Sequence, residues 1–225
     1  MTRHNLLIAM LLLCSTATIA DDATPAAKDS LNEQSGFARF FSRLYIPCEI
    51  GVAYSPAGML KPGYTLKVAL EWRHSQAKGL YYCLIYNDRA LGYSDQLPIG
   101  SNLTKGKAHF SDVIIGPGYR FAVCKNFCIA TLLQAGVSIC EYNSVIPSSL
   151  NDPENPSEPL YDLEDRMNIT PVLRLSAYFE YYLFKTFALF LSAGYTQHLQ
   201  PTPFSRTLGT DGCLGVNVGF TTTLY

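Results

Sequence analysis

The sequence predicts an all-β fold: a closed antiparallel up-and-down transmembrane β-barrel of about eight strands. Three observations carry the prediction. Apolar and polar residues alternate with period two in successive segments, the polar side of those segments is built from small and charged residues, and the connections between them alternate between short and long. Period-two alternation sends neighbouring side chains to opposite faces of a strand, and a tilted membrane strand needs about 9 to 11 residues.

The chain begins with Arg3 and His4, an apolar run from Leu6 to Leu13, and small residues up to Thr18 and Ala20 before Asp21 and Asp22. This is the pattern of a secretory signal peptide over residues 1–20, with cleavage expected after Ala20. Residues 21–43 read as a polar periplasmic lead-in whose Phe37, Phe40 and Phe41 run into the first strand. The barrel domain is expected over 44–225. With 225 residues, a net charge of -1, 48% hydrophobic and 16% charged residues, the chain can build one domain with a core or a lipid-facing surface. It lacks the basic field that nucleic-acid binding requires.

The alternating segments, in order, are Tyr45–Ser55, Tyr64–His74, Leu80–Ala90, Ala108–Cys124, Phe127–Tyr142, Pro171–Phe184, Phe187–Leu199 and Cys213–Tyr225. The second sets Tyr64, Leu66, Val68, Leu70 and Trp72 against Thr65, Lys67, Ala69, Glu71 and Arg73. The fifth sets Leu133, Val137 and Ile139 against Gln134, Ser138 and Cys140, and the eighth sets Leu214, Val216 and Val218 against Gly215, Asn217 and Gly219.

A lipocalin-like carrier would also alternate, but it points its bulky apolar residues inward. Here the polar face suits a narrow barrel interior, with Gly51, Gly116, Ser138, Ser176, Ser192 and Gly219 interspersed with charges. Lys125-Asn126 and Lys185-Thr186 are short connections, whereas 91–107, 143–170 and 200–212 are long. Short turns at one end and long loops at the other are the membrane-barrel pattern. Aromatics near the segment ends, among them Tyr45, Tyr54, Tyr64, Trp72, Tyr81, Tyr82, Tyr119, Tyr142, Tyr181, Tyr182 and Tyr195, are expected to form interfacial girdles.

On these residues the chain resembles the small outer-membrane β-barrel family, of the OmpA membrane-domain and OmpX type. The most telling stretches are Asp112-Val-Ile-Ile-Gly-Pro-Gly-Tyr-Arg-Phe121 through Ala135-Gly136-Val137, and Leu175-Ser-Ala-Tyr-Phe-Glu-Tyr-Tyr182 through Ser192-Ala-Gly-Tyr195. The terminal aromatic, Tyr225, fits too, although its parity departs from the apolar series of Leu224 and Phe220. The resemblance implies an outer membrane of a Gram-negative bacterium, contact with outer-membrane lipid and lipopolysaccharide, insertion by a barrel-assembly machinery, and an extracellular partner of unknown identity. It also implies a lumen closed by a charged network and a porin-like architecture without an open pore.

Parity places Glu49, Lys67, Glu71, Arg73, Arg89, Asp112, Arg120, Arg174 and Glu180 in the lumen. An unpaired charge there costs several kcal/mol, so a network is expected with Arg120 at its centre and Glu49, Glu71 and Glu180 around it. Lys67 and Arg174 complete the expected set. Cys83 and Cys124 are the first candidates for a disulfide, then Cys124 with Cys128, with free buried thiols as the alternative. No cofactor motif and no recognised metal-ligand spacing is present. The stretch 143–170, with Asp152, Glu154, Glu158, Asp162, Glu164 and Asp165 among four prolines, reads as a long solvated loop.

The expected function is therefore non-enzymatic, with loops serving envelope-structural, adhesive or surface-binding roles. Two alternatives stand beside it. A lipid A-modifying enzyme would use His198 as base with Ser205 or Ser192 as nucleophile, and a secreted carrier would hold a ligand in its calyx.

Overall fold

The computed structural model describes residues 40–56, 60–75, 78–93, 106–151, 159–204 and 211–223. Eight strands follow one another: β1 (Leu44–Tyr54), β2 (Gly63–Arg73), β3 (Gly79–Tyr93), β4 (Gly106–Cys124), β5 (Phe127–Asn151), β6 (Pro159–Tyr182), β7 (Phe187–His198) and β8 (Gly212–Thr223). Each pairs antiparallel with its neighbours in sequence, and β8 returns to β1 to close the barrel. Closure removes the open edges that a sheet of this size would otherwise expose. No helix among the described residues is long and apolar enough to cross a membrane. The expected signal segment, most of the lead-in and Tyr225 lie outside the described residues; Phe40 and Phe41 make a single turn before β1, where Arg43 N–H donates to the Phe40 carbonyl at 3.2 Å.

The pattern is inside-out relative to a soluble barrel. Ile50, Ile115 and Leu175 are about 60% exposed on the outer face, while Asp112 and Arg120 are fully enclosed. Apolar side chains outside and charges inside leave a bilayer as the medium that satisfies both faces.

Turn chemistry fixes one end. Gly79 opens β3 at φ 110°, a left-handed conformation that L side chains rarely adopt. Lys125-Asn126 joins β4 to β5, and a register shift between Ala122 and Cys124 lets that hairpin close. At Gly219 the reason for glycine is space, because a Cβ there would lie 2.7 Å from the Phe190 ring that lies across it.

The connection expected over 143–170 is mostly strand. β5 continues to Asn151 and β6 starts at Pro159, paired through Tyr142↔Arg166, Asn143↔Asp165 and Val145↔Leu163. β4 stops pairing with β5 at Glu141, and β7 stops pairing with β6 at Val172. The ten residues of β5 past Glu141, at about 3.4 Å each, therefore form a two-stranded ribbon running roughly 30 Å beyond the flanking strands. Its prolines and carboxylates conceal it in the sequence, yet it contains the β-favouring Val145, Ile146 and Tyr161.

Candidate functional site: the lumen and the loop-end ribbon

Register assembles the lumen from residues far apart in sequence. Around the wall, Glu49 faces Lys67, Lys67 faces Asn87, Asn87 faces Asp112, Asp112 faces Ser138 and Ser138 faces Thr170. All of these are buried. Sequence parity identifies the inward face; the strand stagger decides which charges share a level.

The turn-end level holds Arg120 between Glu71 and Glu180, with an ion pair to each. Arg73 pairs with Glu71 at 2.9 Å and donates to the Tyr182 hydroxyl at 2.7 Å, and that hydroxyl donates to Glu180 at 3.2 Å. Guanidinium planes lie over rings here, Arg73 3.7 Å from the Tyr45 centroid and Arg120 5.2 Å from that of Tyr81. Tyr45, Tyr81 and Tyr182 therefore belong to the lumen. Their expected place in an interfacial girdle is corrected, because each falls on the inward parity of its strand.

Glu49 does not join Arg120. It accepts from Lys67 Nζ at 2.8 Å and from Ser192 Oγ at 2.6 Å, and Asn217 Nδ2 donates to that Ser192 oxygen at 3.1 Å. Arg174 donates Nε to Ser176 Oγ at 2.9 Å. The single network expected around Arg120 is thus divided into levels, since Glu49 sits on β1 opposite Lys67 and not beside Arg120. Between Glu49 and Glu71 runs an apolar belt that includes Cys83, Leu132, Tyr178 and Phe190. A cavity of about 10 Å³ remains there, close to the minimum that admits one water.

Nearer the loops, Asp112 accepts from Arg89 at 2.8 Å, from Asn87 at 2.7 Å and from Ser138 at 2.6 Å. Above it Phe204, from the β7–β8 connection, turns into the mouth. It meets Tyr93 at 5.1 Å and Tyr142 at 5.4 Å between ring centroids, while Phe110 lies beside His198 at 5.7 Å. Tyr142 is a fourth ring drawn from the expected girdle into the interior. The folding-in of Phe204 has no sequence signal, because 200–212 has no strand period to give a side chain a face.

The outer surface keeps a girdle at each end. Tyr82, Tyr119, Phe121 and Tyr181 are exposed at the turn end, and Tyr54, Tyr64 and Tyr195 at the loop end. The Trp72 ring lies tilted against Tyr82 at 6.4 Å between centroids, with the Arg43 guanidinium 5.9 Å from its ring.

All six cysteines among the described residues are free. Cys83 faces Gly116 on β4, so Cys124 is displaced from it by eight residues, about 27 Å of strand, far beyond disulfide reach. That expected bond is corrected, and the second pairing is equally open: Cys128 faces Ala122 rather than Cys124.

The enzymatic candidates are not brought together. Ser192 and His198 lie on the inner face of β7 six residues apart, about 20 Å along the strand, and both are buried. Ser205 lies outside the described residues. On the ribbon, Asn143 Nδ2 donates to Asp165 at 2.6 Å and exposed Arg166 pairs with Glu164 at 2.9 Å. The hydrogen bond and charge of Glu164 hold the Arg166 guanidinium above its ordinary value.

The closed barrel has counterparts among known structures. Neisserial surface protein A shares it at a TM-score of 0.50 and 11% identity, over 81% of this chain and 97% of that one. The attachment invasion locus protein Ail of Yersinia pestis aligns at a TM-score of 0.41 and 15% identity, covering 80% and 99%. The N-terminal β-barrel domain of OprF from Pseudomonas aeruginosa aligns at 0.38 and 13%, covering 80% and 98%. No protein-family model matches the chain, and no curated protein matches its sequence. The fold is that of the small eight-stranded outer-membrane β-barrels, the type the sequence resembles.

Proposed function

We propose that this chain is a non-enzymatic protein of a Gram-negative outer membrane that works through its loop-end ribbon, in envelope structure, adhesion or binding at a surface. The observations that support the proposal are the buried ion pairs and rings gathered in the described lumen, and a two-stranded ribbon that leaves the wall at Glu141 and Val172. A closed interior offers no route for solutes, and a projecting ribbon offers main-chain edges and charged side chains to a partner.

On this reading the short turns face the periplasm and the ribbon faces outside. Residues 1–20 are the signal peptide and 21–43 the periplasmic lead-in. Lipid and lipopolysaccharide surround the apolar band, and the barrel-assembly machinery inserts it. Outer-membrane fractionation tests this, with the gel shift between unheated and boiled samples reporting the folded barrel. Protease added to intact cells is then expected to cut first within 152–158, the residues that join β5 to β6 in sequence. Recovery in the soluble fraction, or protection of that stretch on intact cells with cutting only after lysis, would refute it.

A further inference from the structure

At the turn end of the wall, below the Tyr182 hydroxyl that meets Arg73 and Glu180, lies a second cavity. It measures about 450 Å³ and is lined by Lys125, Asn126 and Cys128 from the β4–β5 turn, and by Tyr182, Leu183, Phe184 and Lys185 from the β6–β7 turn. Pockets for small ligands begin at roughly 300 Å³. Its walls are held in place: Tyr182 N–H donates to the Asn126 carbonyl at 2.8 Å, and Leu183 N–H donates to the Phe187 carbonyl at 3.1 Å.

Two features of the lining define what it takes. Its charged members are both lysines, with no carboxylate among the lining residues, so the site favours an anion. Beside them, Leu183 and Phe184 are exposed, Phe184 at 69%, and they continue the lipid-facing strip of Phe121, Val123 and Tyr181 down to the level of the turns. An anion attached to apolar chains satisfies both features at once.

We propose that this cavity seats the headgroup of one anionic phospholipid of the adjacent leaflet, its phosphate between Lys125 and Lys185 and its chains over Leu183 and Phe184. The lysine stems lie along apolar surface while their ammonium groups reach the phosphate, the usual disposition of such side chains at a membrane interface. The inference rests on the membrane reading above, and it makes a specific site out of what would otherwise be part of a general girdle.

Native mass spectrometry of the folded protein, released from uncharged detergent, tests it with phosphatidylglycerol and a diacylglycerol of the same chains. One phosphatidylglycerol is expected to be retained per barrel and the diacylglycerol is not. Lys125→Gln/Lys185→Gln is expected to weaken retention roughly thirtyfold, since each lysine near an anionic surface contributes a comparable share, while Lys125→Arg/Lys185→Arg keeps it. Retention of the diacylglycerol, retention by the Gln pair, or displacement of the lipid by an equal concentration of inorganic phosphate would each overturn the proposal. A folded wild-type barrel that retains no phosphatidylglycerol overturns it while leaving the membrane reading intact. Absence of the heat-dependent gel shift in the wild type defeats both. Lys125→Gln alone, with its weaker expected loss, covers failure of the double variant to fold.

Discussion

Replacing Arg120 by Met is expected to destabilise the barrel by about 3 to 5 kcal/mol, the cost of leaving a buried ion pair half empty. The contacts show where the cost arises. Glu71 retains Arg73 at 2.9 Å after the change, but Glu180 is left with the Tyr182 hydroxyl at 3.2 Å. One enclosed carboxylate therefore loses its cation, and the Tyr81 ring loses the guanidinium lying 5.2 Å from its centroid. The assay is urea unfolding from phospholipid vesicles, followed through Trp72, the sole tryptophan, which sits on the outer face near the turn end. At a slope of about 2 kcal/mol per molar urea, the midpoint falls by roughly 2 M. Met in place of Arg120 together with Glu180→Gln removes both the charge and its orphan, leaves Arg73 paired with Glu71, and returns most of the stability. A fall of under ~1 kcal/mol for Arg120→Met would mean that water reaches these carboxylates, and the account of a dry, paired lumen would be wrong.

One level up, Lys67→Met is expected to cost about 3 kcal/mol and Glu49→Gln/Lys67→Met much less, with the coupling read from a double-mutant cycle on the same urea assay. Gly219→Val drives a branched side chain into the Phe190 ring and the β1 backbone, and is expected to abolish the heat-dependent gel shift, with Phe190→Ala on the same background recovering part of it. In the folded barrel a maleimide is expected to label Cys124 alone among the six described cysteines, and after denaturation without reductant to label all six; a disulfide-linked peptide in the mass map would contradict the free thiols. Shortening the ribbon by deleting 144–164 and joining its ends with a turn is expected to leave barrel stability within ~1 kcal/mol, because the strand pairing of those residues is with one another and the Glu164–Arg166 pair lost with them is exposed, and to abolish whatever surface binding the protein has.

What could be read in the sequence was whatever period two controls. Tyr64 to Arg73 assigns Lys67, Glu71 and Arg73 to one face from the residue pattern alone, and the structure encloses all three. What parity lacks is height and neighbourhood across the lumen. Glu49 and Arg120 share a face type, yet the stagger between strands gives Glu49 to Lys67 and Arg120 to Glu71 and Glu180. For the aromatic side chains parity was enough, and residue type alone misled. Tyr81 and Tyr82 are adjacent in sequence and equally suited to an interface, but alternation sends Tyr81 in over Arg120 and Tyr82 out beside Trp72. The ribbon was hidden for a different reason: its proline and acid content resembles a solvated loop, and only the pairing of Asn143 with Asp165 and its neighbours makes it strand.

The account turns on a lumen closed by charge pairs, and single-channel recording from the purified barrel in a planar bilayer tests that most directly. No stable steps above the bare-membrane baseline are expected, in keeping with the cavity of about 10 Å³ that remains between Glu49 and Glu71. Sustained ohmic steps in the wild type, abolished by a bulky adduct placed in the lumen, would contradict it.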